Sequence, residues 1–188
     1  MTKRVMIDLE TMSTRPNAAV IALTVAMRDD VNPHISARTW RIDQTLAIGH
    51  VDEQTCKWWN EQNEGIKNFV WGGNESPIEV FSSVRSWISA HGGNDEDVLY
   101  YGDPADFDFP IIRNQFFEAG IECPWEWRHQ RCSRTMRKVM IEVMGINFVE
   151  SDNPRPHHPY YDTVQQLNDL YRMIGILQEM VHPAQVIT

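Results

Sequence analysis

Two carboxylates stand side by side near the start of the chain, in Ile7-Asp8-Leu9-Glu10-Thr11. In an extended strand, residues i and i+2 leave the same face with Cα atoms about 6.6–6.8 Å apart. Asp8 and Glu10 then point together, while Ile7 and Leu9 point into the core. An isolated D-x-E is most often a solvated polar face. At the end of a central strand, though, two like charges repel, and hard divalent cations favour clustered oxygen ligands. A second acidic group, Asp103, Asp106 and Asp108, follows the apolar run Val98 to Tyr101 and opens a helical pattern. Acids in a first helical turn gain roughly 0.3–1 kcal/mol each from the macrodipole, which accounts for one or two of the three. One acid can cap while another reaches the first pair. The third segment is His157-His158-Pro159-Tyr160-Tyr161-Asp162. Its prolines predict a loop and then a helix starting near Pro159, with Asp162 in the first turn. His157, left on the loop, is free to lean over the same site; the bland alternative is a surface loop with two incidental histidines.

These residues need elements to position them. Residues 4–9, 18–28 and 36–43 read as three strands, with Trp40 and Ile42 on one face and a turn at Asn32-Pro33. Short connections make them an antiparallel meander. Ser76-Pro77-Ile78-Glu79 is a capping box with Pro at the first helical position. It precedes Val80, Phe81, Val84, Trp87 and Ile88 on one helical face, and Gly92-Gly93 ends the run. Val98 to Tyr101 predicts a short buried strand, followed by helices at 106–119 and 131–145. A final helix from Pro159 carries Val164, Leu167, Leu170, Tyr171 and Ile174 on one stripe. Residues 63–75 and 149–158 read as loops near a site or an edge. The sum is an α/β fold, a mixed sheet with helices packed on it, in a single domain over residues 1–188.

Composition narrows the class further. Of 188 residues, 42% are hydrophobic and 23% charged, ordinary globular usage that excludes collagen, coiled coil and general disorder. Seventeen Lys and Arg against 26 Asp and Glu give −9, the wrong sign for a plain phosphate-binding module. Net charge alone does not separate a solvated acidic surface from carboxylates gathered around metal ions. Three cysteines without a C-x-x-C exclude a paired disulfide framework and a zinc ribbon, so a reducing, cytoplasmic location is expected. The longest apolar stretch, Ala18 to Met27, falls far short of the ~20 residues of a membrane span. Lys3-Arg4 followed by Val5-Met6-Ile7 is too short for a signal sequence, so no membrane association is expected.

Taken together, the three acidic segments resemble the motifs of the DEDD superfamily of 3′–5′ exonucleases, in its DEDDh branch. The matches are D-x-E-T at Asp8, Glu10 and Thr11, F-D at Phe107 and Asp108, and H-x-x-x-x-D at His157 and Asp162. They follow the family's order over nearly the whole chain. A bacterial and phage subgroup opens with D-L-E-T-M and then Asn-Ala, similar to Asp8 to Met12 and Asn17-Ala18 here. It also carries W-W-x-x-Q, matched by Trp58, Trp59 and Gln62. The resemblance implies a ribonuclease-H-like sheet, the meander being continued by parallel strands. It implies catalytic roles for Asp8, Glu10, Asp108, His157 and Asp162, with two divalent cations, Mg²⁺ or Mn²⁺, on the four carboxylates. His157 would be the general base, a role suited to an ordinary pKa of about 6.5. Proofreading members carry His-Asn four to five residues before the second-motif Asp, where this chain has Asp103-Pro104. Asp108 is preferred because Phe107 precedes it; Asp106 is the reserve.

The implied substrate is a nucleic acid with a 3′ end, single-stranded or a 3′ overhang, cut to nucleoside 5′-monophosphates. DNA and RNA both remain open. By the same resemblance Leu9, Thr11 and Met12 meet the terminal sugar and base, Thr11 donating to a sugar hydroxyl and Met12 wedging against the base. Trp59 and Arg134 are further expected contacts. Trp58 and Trp59 are adjacent, so on a helix they point about 100° apart and one fills the core while the other faces the rim. Arg128, Arg131, Arg134, Arg137 and Lys138 lie in a stretch, Trp127 to Ile141, that holds no acid. Phosphate contact and a solvated helix face explain them equally well. Trp125 and Trp127 offer π faces for bases, though core packing is commoner. Related exonucleases are sometimes dimers, which leaves a homodimer open. The alternatives are a catalytically inactive binding module and an endonuclease on the same scaffold.

Overall fold

The computed structural model describes residues 2–93 and 97–181. Strands β1 (Lys3–Thr11), β2 (Val20–Asp29) and β3 (Ser36–Arg41) form the antiparallel meander. Strand β4 (Val98–Gly102) joins β1 in parallel, and β5 (Gln130–Cys132) joins β4 in parallel. The order across the sheet is β3-β2-β1-β4-β5, which puts β1 in the middle. β2 is buried from Val20 to Met27, the continuous apolar run expected of a strand covered on both faces.

The two faces of β1 explain where its acids go. Val5, Ile7 and Leu9 pack with Val80, Phe81, Val84 and Ile88 of α3 (Pro77–Ala90) and with Phe109, Ile112 and Phe116 of α4 (Ala105–Glu118). Met6, on the opposite face, packs with Leu167, Leu170 and Met173 of α6 (Pro159–Val181). The strand's period of two therefore turns Met6, Asp8 and Glu10 toward α6. The capping box forms as read, with Ser76 N donating to Glu79 at 2.8 Å and the Glu79 amide donating to Ser76 Oγ at 3.4 Å. Beyond the end of α3, Gly92 takes the left-handed φ of 71° that closes the turn.

Two expectations fail. Residues 131–145 are not one helix: a 3₁₀ turn (Trp127–His129) leads into β5, then α5 (Ser133–Lys138) and one π turn (Val139–Val143). The edge of β4 captures the segment, pairing Tyr100 with Gln130, Tyr101 with Arg131 and Gly102 with Cys132. Residues 63–75 are not all loop either. Besides α1 (Glu53–Glu61), a second short helix, α2 (Glu64–Trp71), starts at Asn63, whose side chain accepts from Gly65 and Ile66 N–H groups. Residues 149–158 do form a loop, and it returns the chain to the start of α6. No helix among the described residues is long and apolar enough to cross a membrane.

Candidate active site

Asp162 enters from the first turn of α6 and meets the pair on β1. One carboxylate oxygen each from Asp8, Glu10 and Asp162 lies within 4.8 Å of the others. The β1–β2 ladder shifts register between Glu10 and Thr11, so regular pairing ends where the acids are presented. Gln166, one turn beyond Asp162, donates to Asp8 Oδ1 at 3.3 Å, and its Oε1 is buried with no hydrogen-bond partner among the described residues. Asn153 of the 149–158 loop donates to Asp162 Oδ1. None of Asp8, Glu10, Asp108 or Asp162 makes an ion pair among the described residues.

Burial, with the crowding of like charges, shifts these acids upward. Burial, then the negative charge of Asp162, raises Asp8 from 3.8 to about 7. Glu10 goes well above its ordinary value through burial and the charges of Asp8, Asp162 and Asp108. Burial also raises Asp162, against the opposing bond from Asn153. Clustered carboxylates with an unsatisfied carbonyl oxygen beside them are the oxygen-only donor set that hard divalent cations take. The residues present fit such ions.

The shift of Asp8 has a sign that can be measured. Its metal-free contribution to stability is fully present below about 3.8 and is lost as pH rises through about 7. Metal-free wild type and Asp8→Asn should therefore melt closest together near pH 4, the foot of this window. At pH 8 the wild type should lag by several degrees, given about 2–4 °C per kcal/mol. A gap that is equal at both pH values contradicts the shift.

Asp108 sits beside the trio, 2% exposed, in the first turn of α4. Its Oδ2 accepts from Asp103 N at 3.1 Å, and burial with the charge of Asp8 raises its pKa well above the ordinary value. The carboxylate nestles against Gly102, where a Cβ would stand 2.8 Å from Asp108 Oδ2. Gly102→Ala is accordingly expected to push Asp108 aside and cost at least about tenfold in kcat, or ~1.4 kcal/mol of barrier. Undiminished turnover in a folded variant would remove Asp108 from the site. The other two acids of the segment lie in different surroundings. Asp103 is held by Ser133 Oγ at 2.8 Å, Arg134 Nε at 2.9 Å and Arg137 Nη1 at 3.1 Å. Asp106 is exposed and lines surface grooves shared with Ala105, Arg113 and Arg134.

His157 is exposed on its loop, with a left-handed φ of 66°. Its ring stands edge-on to Trp58 with centroids 5.0 Å apart. The next residue, His158, stacks on Phe69 of α2 at 4.4 Å. Beside Glu10 opens a cleft of ≈ 470 Å³, walled by Leu9, Thr11, Trp58, Trp59 and Phe107. That volume lies in the range of small-ligand sites.

Several expected contacts are placed differently. Met12 is 8% exposed and packs with Ala19, Ile21 and Trp59, so it fills the core rather than wedging against a base. The Thr11 hydroxyl donates to Ser13 O at 2.7 Å, which leaves the cleft a lone pair instead of a proton. Trp59 is 1% exposed and donates from Nε1 to Thr11 O at 2.9 Å, bracing the end of β1. Trp58, 40% exposed, is the member of the pair at the rim. Arg134 is tied to Asp103 beside a groove on the α5 side of α4, outside the cleft. Its neighbours are similarly paired: Arg128 with Glu126, Arg137 with Asp103 and Glu150, Lys138 with Glu142. Trp125 stacks on Tyr100 in the core at 4.5 Å, whereas Trp127 is exposed. The sequence reading missed Gln166 and Asn153. Gln166 was legible as the i+4 partner of Asp162 on a helix; nothing local marks Asn153.

The fold has a known counterpart. The crystal structure of cell-death related nuclease 4 (CRN-4) superposes with a TM-score of 0.69 at 15% identity, over 93% of this chain and 64% of that one. The chain thus spans under two thirds of that neighbour, and the likeness shows a shared ribonuclease-H-like α/β fold. No curated protein matches. A family model, the 3′–5′ exoribonuclease Rv2179c-like domain, matches residues 3–172, from the first residue of β1 well into α6, and so takes in Asp8, Glu10, Asp108, His157 and Asp162. By that match the chain belongs to the Rv2179c-like family of 3′–5′ exoribonuclease domains.

Proposed function

We propose that the protein is a metal-dependent 3′–5′ exoribonuclease that removes nucleoside 5′-monophosphates from an RNA 3′ end. The observation that carries the reading is the meeting of Asp8, Glu10 and Asp162 oxygens within 4.8 Å, with buried Asp108 alongside. Two divalent cations on these carboxylates would polarise the scissile phosphate and ease ionisation of the attacking water. The remaining work falls to the chain. Glu10 forms the boundary between the carboxylate cluster and the cleft, so a terminal nucleoside in the cleft brings its phosphate to the acids. Leu9, Phe107 and Trp58 offer that nucleoside apolar and aromatic faces, which favour any base and select none. The His157 imidazole, exposed above Asp162 and steadied by Trp58, takes the proton of the attacking water. Gln166 and Asn153 fix the carboxylates of Asp8 and Asp162.

The family's name favours RNA over DNA. An end-labelled time course on matched single-stranded and 3′-overhang RNA and DNA, with Mg²⁺ or Mn²⁺, tests the proposal. Stepwise loss of 3′ mononucleotides, faster on RNA, is the expected result. Internal cuts, or no metal-dependent cleavage, contradict it.

A further inference from the structure

Asp169 is a buried acid for which the reaction has no use. It lies seven residues beyond Asp162, which on a helix returns it to nearly the same face about 10.5 Å further along the axis. It is 2% exposed, and its carboxylate accepts from Ser151 N at 3.1 Å, Ser151 Oγ at 2.6 Å and Arg172 Nη1 at 2.7 Å. Gln165 Nε2 completes the hold on the same residue, donating to Ser151 O at 2.8 Å. Arg172 Nη1 also donates to Val149 O at 3.1 Å and to Ser151 Oγ at 2.9 Å. Every polar group of Ser151 is thus gripped by α6.

Ser151 is where the loop bearing His157 starts its run along α6. The two are six positions apart, and α6 begins at Pro159 two positions beyond His157, so a release at Ser151 leaves the imidazole free to swing by up to roughly 7 Å about Pro159. His157 also holds φ at 66°, a conformation that non-glycine residues keep only when their surroundings enforce it. Downstream the loop is held by Asn153 on Asp162 and by the His158 ring on Phe69. Upstream, it is fastened by the Asp169 network at Ser151 and by the ion pair of Glu150 with Arg137.

We propose that Asp169, braced by Arg172 and Gln165, is a positioning residue: it clamps the loop so that His157 stays over the carboxylates. This rests on the exonuclease reading for its consequence in turnover, but not for the clamp itself. In Asp169→Ala the Oδ1 that accepts from both Ser151 Oγ and Arg172 Nη1 is gone, and the clamp opens. On a short RNA with Mn²⁺ the variant is expected to lose at least tenfold in kcat with KM changed less than threefold. Its Mn²⁺-induced rise in melting temperature should match the wild type's, and amide exchange across 151–158 should quicken. Phe116→Leu, a core change on the opposite face of the sheet, supplies a destabilised control that should keep its kcat. Unchanged exchange across 151–158 in both Asp169→Asn and Asp169→Ala overturns the proposal. So does a kcat loss no larger than in Phe116→Leu at equal melting temperature. If the wild type itself shows no metal-dependent cleavage, the exonuclease reading fails, and the exchange measurement still decides the clamp.

Discussion

Asp8→Asn is expected to lower kcat at least about a thousand-fold, ~4 kcal/mol of barrier at 1.36 kcal/mol per tenfold. Asp8 lies at the centre of the cluster: its oxygen is close to those of Glu10 and Asp162, and its charge is felt by Asp108. Losing it would remove a central carboxylate of the proposed ion site. A thermal readout accompanies the kinetic one. At a hundred times Kd, Mn²⁺ should stabilise the wild type by about 2.7 kcal/mol, or roughly 5–10 °C at this size. In Asp8→Asn the rise should shrink clearly, because cations no longer offset the burial and mutual repulsion that lift the pKa values of Asp8 and Glu10. An equal Mn²⁺ response in both proteins places the ions elsewhere.

His157→Ala should separate turnover from metal binding. Loss of a positioned general base costs typically about 10²–10⁴-fold. The imidazole belongs to no carboxylate cluster, so the Mn²⁺-induced rise in melting temperature should be retained. Because φ is 66° at this position, His157→Gly provides the variant whose backbone suits the loop best. Both variants should be equally slow if the ring performs the chemistry. A kcat restored in His157→Gly would mean that loop geometry, rather than the imidazole, carries the rate.

Local patterns made much of the molecule readable. The alternation in Val5-Met6-Ile7-Asp8-Leu9-Glu10 placed both acids on one face, and the structure shows which helix that face meets. The capping box at Ser76 and Glu79, and the run from Val80 to Ile88, marked α3 because cap and stripe agree. What misled was non-local. Gln130–Cys132 is a strand only because β4 offers it an open edge, which no property of three residues announces. Gly65 and Gly72-Gly73 read as loop, yet the Asn63 cap and the buried side of Val70 make α2 a helix. The same divide runs through the site. The D-x-E pair and the Phe107-Asp108 step are short-range signals. The engagement of Asp103 with two arginines, the burial of Met12 and the anchoring of Asp162 by Asn153 join residues distant in sequence.

The most direct test is anomalous diffraction from crystals soaked in Mn²⁺. Two peaks about 3.5–4 Å apart, both within coordination distance of Asp8 and shared among Glu10, Asp108 and Asp162, are the predicted result. No peak at these four carboxylates, in crystals that take up Mn²⁺ at other acidic positions, would contradict the account.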